Sequence, residues 1–204
     1  MTAGNTTASA GISRTSRSIR SDGGKVGETP LPTALEHVLM SFYKRDMIAF
    51  MRSHPEAYDE AITLAVGDRQ PLSWRAAWLL IDCMDDDDVR LRPHIRRIIA
   101  AVPGKADGHQ RELIKLLSRM TFSERDEGRA FDLCLSLWET PAAQPSLRVN
   151  ALKLLVRIAC AHPELKREIG FLTQERHLAS LSGPVRKSIA KILKGLETGG
   201  RSRV

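Results

Sequence analysis

The sequence predicts an all-α, right-handed solenoid of about four stacked helix pairs behind a short N-terminal helical cap. Three observations carry this. First, a helix pattern returns at Arg75, Gln110, Arg148 and Arg186, at a near-constant interval. Each start is followed at the third, fourth and sixth positions by apolar residues: Trp78, Leu79, Ile81; Leu113, Ile114, Leu116; Ala151, Leu152, Leu154; Ile189, Ala190, Ile192. Three of the four add one at the seventh (Leu117, Leu155, Leu193), where the first has Asp82. This spacing gathers the side chains on one helix face. Second, His54-Pro55-Glu56 returns as His162-Pro163-Glu164, displaced by three intervals of the same pattern. Third, nothing in 30–196 alternates with period two, so no sheet is expected. One helix pair cannot cover its own apolar face, whereas stacked pairs share a continuous core.

The elements follow in order. Residues 1–29 are rich in Ser, Thr, Gly and Ala and read as a disordered tail, since they cannot bury enough apolar surface to offset chain entropy. Residues 1–21 lack acids and carry Arg14, Arg17 and Arg20, a composition that also resembles an organellar transit peptide. The helical domain is expected over 30–196, and 197–204 as a second disordered tail. Leu31 to Met40 and Tyr43 to Met51 read as two short helices, with Ile48 and Phe50 among the buried residues. Pro55 opens a helix that Gly67 ends. Ser73 begins the next, which runs to about Met84. Asp85 to Asp88 form a connection, and Val89 to Val102 is expected as one helix, stopped by Pro103-Gly104. Further helices are expected at 108–120, 124–139, 146–161, 163–180 and 184–196.

Composition narrows the class. Apolar residues make up 42% and aromatics only 5%, so Leu, Ile, Ala and Val must fill most of the core. The net charge of +7 permits nucleic acid or an acidic protein as partner without requiring either. Cys83, Cys134 and Cys160 form no C-x-x-C pair and read as buried free thiols of a cytoplasmic chain. No apolar run reaches the length of a membrane span, about 18 residues, and no membrane partner is expected.

On its period, its Pro-opened first helices and its Arg-led second helices, the chain resembles the HEAT and armadillo-like α-solenoids over about residues 53–196. Ser73-Trp74-Arg75-Ala76-Ala77-Trp78 and Pro163 to Lys166 are also similar to small uncharacterised bacterial HEAT-like proteins, some of which carry the label adenylosuccinate lyase. The lyases have a Met-Pro-x-Lys-x-Asn loop that does not occur here, so the resemblance does not extend to that activity. It implies a protein-interaction adaptor or scaffold. A subset of HEAT-like proteins are DNA glycosylases that surround an extruded alkylated base with Trp and Asp beside a basic track, which makes nucleic acid the alternative partner.

The candidate binding residues are basic. Arg75, Arg148 and Arg186 head second helices and form a ladder, read either as pairing with acids of neighbouring repeats or as gripping an acidic ligand. Arg92 and Arg96, Arg111 and Lys115, Lys153 and Arg157, and Lys187 and Lys191 (with Lys194 beyond) are spaced as pairs along single helix faces. In stacked helices they would align as a ridge facing phosphates or an acidic protein, or as a solvated outer face balanced by acids such as Glu112. Trp74 and Trp78 share a face. Trp78 reads as core and Trp74 as a seal between repeats, with base stacking as the alternative. Asp88 is expected to cap the helix after it, with Asp85 to Asp87 solvated. The six histidines lack metal-ligand spacing, and no nucleophile-with-base or phosphate-loop motif occurs, so no catalytic residue, cofactor or metal is expected.

Overall fold

In the computed structural model, which describes Met1 and residues 31–197, every regular element is a helix. The chain divides into units at 1–31 and 32–204. The expected disordered tails lie, but for Met1 and Glu197, outside the described residues.

Two short helices, α1 (Ala34–Ser41) and α2 (Lys44–Ser53), form the cap and pack on α4. Thr33 starts α1 by accepting the Glu36 amide on its hydroxyl at 3.1 Å. Four pairs follow: α3 (Tyr58–Val66) with α4 (Leu72–Cys83), α5 (Ile95–Ala101) with α6 (Asp107–Leu117), α7 (Glu124–Glu139) with α8 (Pro145–Ala161), and α9 (Lys166–Leu172) and α10 (Glu175–Leu178) before α11 (Gly183–Glu197). The second helices pack in the order α4, α6, α8, α11, and the first helices α3, α5 and α7 make a second layer. In the last pair α9 and α11 both pack on α8. This is an all-α solenoid. Among the described residues no helix is long and apolar enough to cross a membrane.

The recurrent His-Pro-Glu triplets have a common use. Each places its proline at the head of a 3-10 turn, Pro55–Ala57 and Pro163–Leu165, that runs into a first helix. Pro93, second in the 3-10 turn Arg92–His94, similarly precedes α5. The first helix of the third pair is entered differently: the Ser123 hydroxyl accepts the Asp126 amide at 3.3 Å.

The repeat register differs from the one expected at its first step. The residue equivalent to Gln110, Arg148 and Arg186 is Ser73, not Arg75. Counting from Ser73, the third, fourth, sixth and seventh positions are Ala76, Ala77, Leu79 and Leu80, all fully buried like Leu113, Ile114, Leu116 and Leu117 and like Ala151, Leu152, Leu154 and Leu155. The exceptional Asp82 therefore disappears, and Trp78 and Ile81 are half-buried rather than core. Two alanines occupy core positions, and the larger half-buried residues beside them mimic a core spacing.

Two boundaries and one burial pattern differ as well. Residues 89–102 are not one helix: Asp88 turns the chain, and α5 begins only at Ile95. Residues 163–180 break after Leu172, where Thr173 Oγ1 folds back to the Ile169 carbonyl at 2.9 Å. In α2 the buried residues are Met47 and Met51, with Ile48 and Phe50 only half-buried.

Candidate binding face

Four equivalent residues, here called rungs, join the pairs: Ser73, Gln110, Arg148 and Arg186. A helix end leaves carbonyls without intrahelical donors, and the longer rungs supply donors to carbonyls at the ends and connections of neighbouring helices. Gln110 Nε2 donates to Lys105 O at 2.8 Å. Arg148, 2% exposed, donates from Nε to Trp138 O (3.0 Å), from Nη2 to His177 O (2.8 Å) and from Nη1 to Ser180 Oγ (2.9 Å). Arg186 donates to Leu181 O and Ala179 O, and pairs with Glu175 at 2.7 Å. The expected pairing of the ladder with acids of neighbouring repeats is thus replaced largely by pairing with main-chain oxygen. All three nitrogens of the Arg148 guanidinium are engaged within the protein. Arg75 is not a rung; its Nη2 donates to Phe42 O at 3.2 Å and ties the cap to α4. At the Ser73 rung the buried hydroxyl has no hydrogen-bond partner.

In α4, α6 and α8 the rung and its third, fourth, sixth and seventh successors are buried, which turns the first and fifth outward; in α11, of these only Ile189 is buried, Ile192 and Leu193 are half-buried and Ala190 is exposed. The first successors are Trp74, Arg111, Val149 and Lys187; the fifth are Trp78, Lys115, Lys153 and Lys191. All are half-buried or exposed. The face thus has a tryptophan pair at its α4 end and cations across α6, α8 and α11. The Trp74 and Trp78 rings are near parallel, 6.2 Å between centroids, and Lys44 Nζ lies 5.1 Å from the Trp78 centroid while pairing with Asp82 at 2.9 Å. Trp74 and Trp78 therefore both belong to this face, and neither is core.

Glu112, 1% exposed, accepts from Arg111 at 2.7 Å and Lys115 at 3.0 Å, and so sets the direction of both cations. Arg111 Nη1 also reaches Ser146 Oγ across to α8 at 3.4 Å. Lys153, Lys187 and Lys191 form no ion pair among the described residues. An open groove of about 600 Å³ lies between α8 and α11, lined by Val149, Asn150, Val185 and Ser188 among others.

The ridge is shorter than expected. Arg92 lies in the 3-10 turn before α5 and Arg96 on α5, in the layer of first helices, where they pair with Asp87 and Asp126. They do not join the cations of the second helices. Arg157 does, but also reaches back: its Nη2 approaches Leu117 O at 3.5 Å, and its guanidinium sits 5.1 Å from the Phe122 centroid. Arg119, one repeat earlier, does the same to Ile81 O at 2.8 Å. Both place a cation at the C-terminus of the preceding second helix, where carbonyl dipoles favour it. Sequence reasoning missed Arg119, although its place one repeat interval before Arg157 was a visible signal.

The aspartate connection is structural. Asp88 is buried and caps no helix. Its Oδ2 accepts from Tyr58 Oη (3.1 Å), the Asp85 amide (3.1 Å) and Arg90 Nη2 (2.6 Å), and its Oδ1 from Arg90 N and Nε (2.9 Å each). Burial pushes this carboxyl up, but the Arg90 and amide hydrogen bonds outweigh it and hold it far below the carboxylate range. Arg90 also lies 3.8 Å from the Tyr58 centroid. Asp86 pairs with Arg119, and Asp87 with Arg92. Among the described residues no group of three or more His, Cys, Asp or Glu is placed to hold a metal ion. Of the cysteines expected to be buried, Cys134 is, Cys83 is half-buried and Cys160 is exposed.

A family model described as a HEAT repeat domain matches residues 33–196. No curated protein and no solved structure matches the chain.

Proposed function

The chain belongs to the HEAT repeat domain family, and from that premise we propose that it is a non-catalytic protein-interaction module whose second-helix face binds an acidic partner. One observation carries this reading: Lys115, Lys153 and Lys191 occupy the same register position on three successive packed helices, and two of the three have no described acid paired to them. Unpaired cations aligned on one face attract an anionic surface and speed its encounter. Buried Glu112 favours the same reading. It fixes Arg111 and Lys115 before any partner arrives, which reduces the ordering cost of binding.

The test is capture from native extract by the full chain and by a variant with Lys153, Lys187 and Lys191 all changed to Glu, which leaves the Lys115 pair with buried Glu112 intact. The expected result is loss of bound acidic protein with an unchanged urea unfolding midpoint. Equal capture by both proteins would overturn the assignment of this face.

A second reading, nucleic acid, is favoured by the half-exposed Trp74 and Trp78 at the head of the cationic row, since aromatic rings beside cations suit stacked bases. Base excision is the least supported form of it: Asp82, the acid nearest this pair in register, is held by Lys44. Affinity for single-stranded or duplex DNA that falls steeply between about 50 and 200 mM salt would favour this reading over the first.

A further inference from the structure

We propose that the occupant of this face is an extended, polyproline-II-like acidic segment of the partner, with an acidic residue at every third position and an apolar residue before the first of them, seated on Trp74 and Trp78. The inference rests on the reading of the face as a site for an acidic protein.

The argument is one of matched periods. Lys115, Lys153 and Lys191 advance one packed helix at a time along α6, α8 and α11. Packed helices stand about 8–10 Å apart, so neighbouring cations are separated by roughly that distance. A polyproline II chain has about 3 residues per turn and rises about 3.1 Å per residue. Every third side chain therefore returns to the same edge after about 9 Å, in step with the cations. The strip between the first and fifth successors is one turn of helix wide, about 6 Å. That suits an extended backbone and is narrower than an α-helix of about 10–12 Å diameter. Each end of the row has its own chemistry. Trp78 replaces lysine at the α4 position, so the residue that precedes the acids by three meets half-exposed indole, beside a Lys44 ammonium that is already paired with Asp82. Val149 replaces a cation beside Lys153, and Val185 lines the same groove toward α11. The segment there meets apolar surface between its acids, where proline or a small apolar residue fits. The sequence specificity expected is apolar-x-x-acid-x-x-acid-x-x-acid.

The experiment measures fluorescence anisotropy of the full chain with three labelled peptides of proline, serine and glutamine background. The first carries leucine at its first position and glutamate at its fourth, seventh and tenth. The second has the same composition with the three glutamates contiguous. The third keeps the spaced glutamates and lacks the leucine. The in-register peptide is expected to bind about tenfold more tightly than the contiguous one, as follows from three weak ion pairs made together rather than singly. Leucine is expected to shift the tryptophan emission of the wild-type chain, and Trp78→Ala to bring the first and third peptides to equal affinity. Lys153→Glu is expected to weaken the spaced peptides more than the contiguous one. Equal binding of spaced and contiguous peptides overturns the register and leaves an acidic partner in place. No binding by any peptide, with single-stranded DNA bound instead, overturns both.

Discussion

The guanidinium of Arg148 lies 4.9 Å from the ring centroid of Trp138 and donates from Nε to the Trp138 carbonyl at 3.0 Å. Both residues are buried, and Trp138 Nε1 in turn donates to Leu172 O at 2.8 Å. Two side chains thus join α7, α8 and the end of α9. Arg148→Ala would leave the carbonyls of Trp138 and His177 without these donors. We expect a loss of about 3 kcal/mol of unfolding free energy, read as a lower urea midpoint. Arg148→Lys should recover little, because a single ammonium cannot reproduce three donors in a planar fork. A cost below about 0.5 kcal/mol for the alanine variant would contradict the role given to this rung.

Ser73 makes the opposite case. It occupies the same register position, and its buried hydroxyl has no partner. Removing an unsatisfied buried polar group is neutral or stabilising. Ser73→Ala is therefore expected to leave stability unchanged or raise it by up to about 1 kcal/mol, at the position where Arg148→Ala is costly. A clear loss in urea unfolding would show that the hydroxyl is satisfied in solution.

Two buried groups contribute to the pH response, alongside exposed carboxylate pairs and His162, whose hydrogen bond to Glu127 raises its pKa and opposes His109. His109 is 2% exposed, with Nε2 at 2.7 Å from the Ala65 carbonyl and Nδ1 at 2.9 Å from Gln70 Nε2. That pattern suits a neutral ring donating from Nε2 and accepting at Nδ1. Burial lowers its pKa below the ordinary 6.5. As pH falls through 6.5 the unfolded chain takes up the proton first, so stability is full above that range and declines below it. Asp88 acts lower: its folded pKa is depressed, so its contribution is present above 3.8 and lost as pH falls further. Unfolding midpoints measured at about pH 7.5, 6.5, 5.5, 4.5, 3.5 and 2.5, about one unit apart, test this. His109→Gln is expected to flatten the decline between about pH 7 and 5 and leave the lower limb intact. An unchanged slope would remove His109 as its source.

The cysteines should react in order of exposure. Cys160 is exposed, whereas burial pushes Cys83 up to about 11 and Cys134 up to about 12. Since the thiolate is the reactive form, a thiol reagent at neutral pH should label Cys160 first, Cys83 slowly and Cys134 only with unfolding. Peptide mapping after timed labelling gives the order. Early labelling of Cys134 would mean that α7 opens locally.

The two-layer helical stack is legible in the chain because its physics is periodic. Apolar residues at steps of three and four, repeated at a near-constant interval, admit few other packings, and the two His-Pro-Glu turns mark the same interval independently. Where the local signal is ambiguous the pattern misleads. Trp78 and Ile81 imitate a core spacing better than Ala76 and Ala77 do, so the first repeat reads two positions late and Arg75 passes for a rung. Asp88 reads as a cap because nothing in its neighbourhood of the sequence points to Tyr58 at the start of α3.

The candidate face divides along the same line. Which residues are basic, and that those one turn apart share a helix edge, follows from the chain alone, because helical periodicity is a local property. Which edges stand side by side is a property of the packed molecule. Packing puts Lys115, Lys153 and Lys191 on one surface, sends Arg92 and Arg96 to the other layer, and buries Arg148 among carbonyls. Those outcomes depend on where backbone oxygens of distant segments come to rest, because a buried carbonyl left unpaired is costly and a guanidinium can satisfy it.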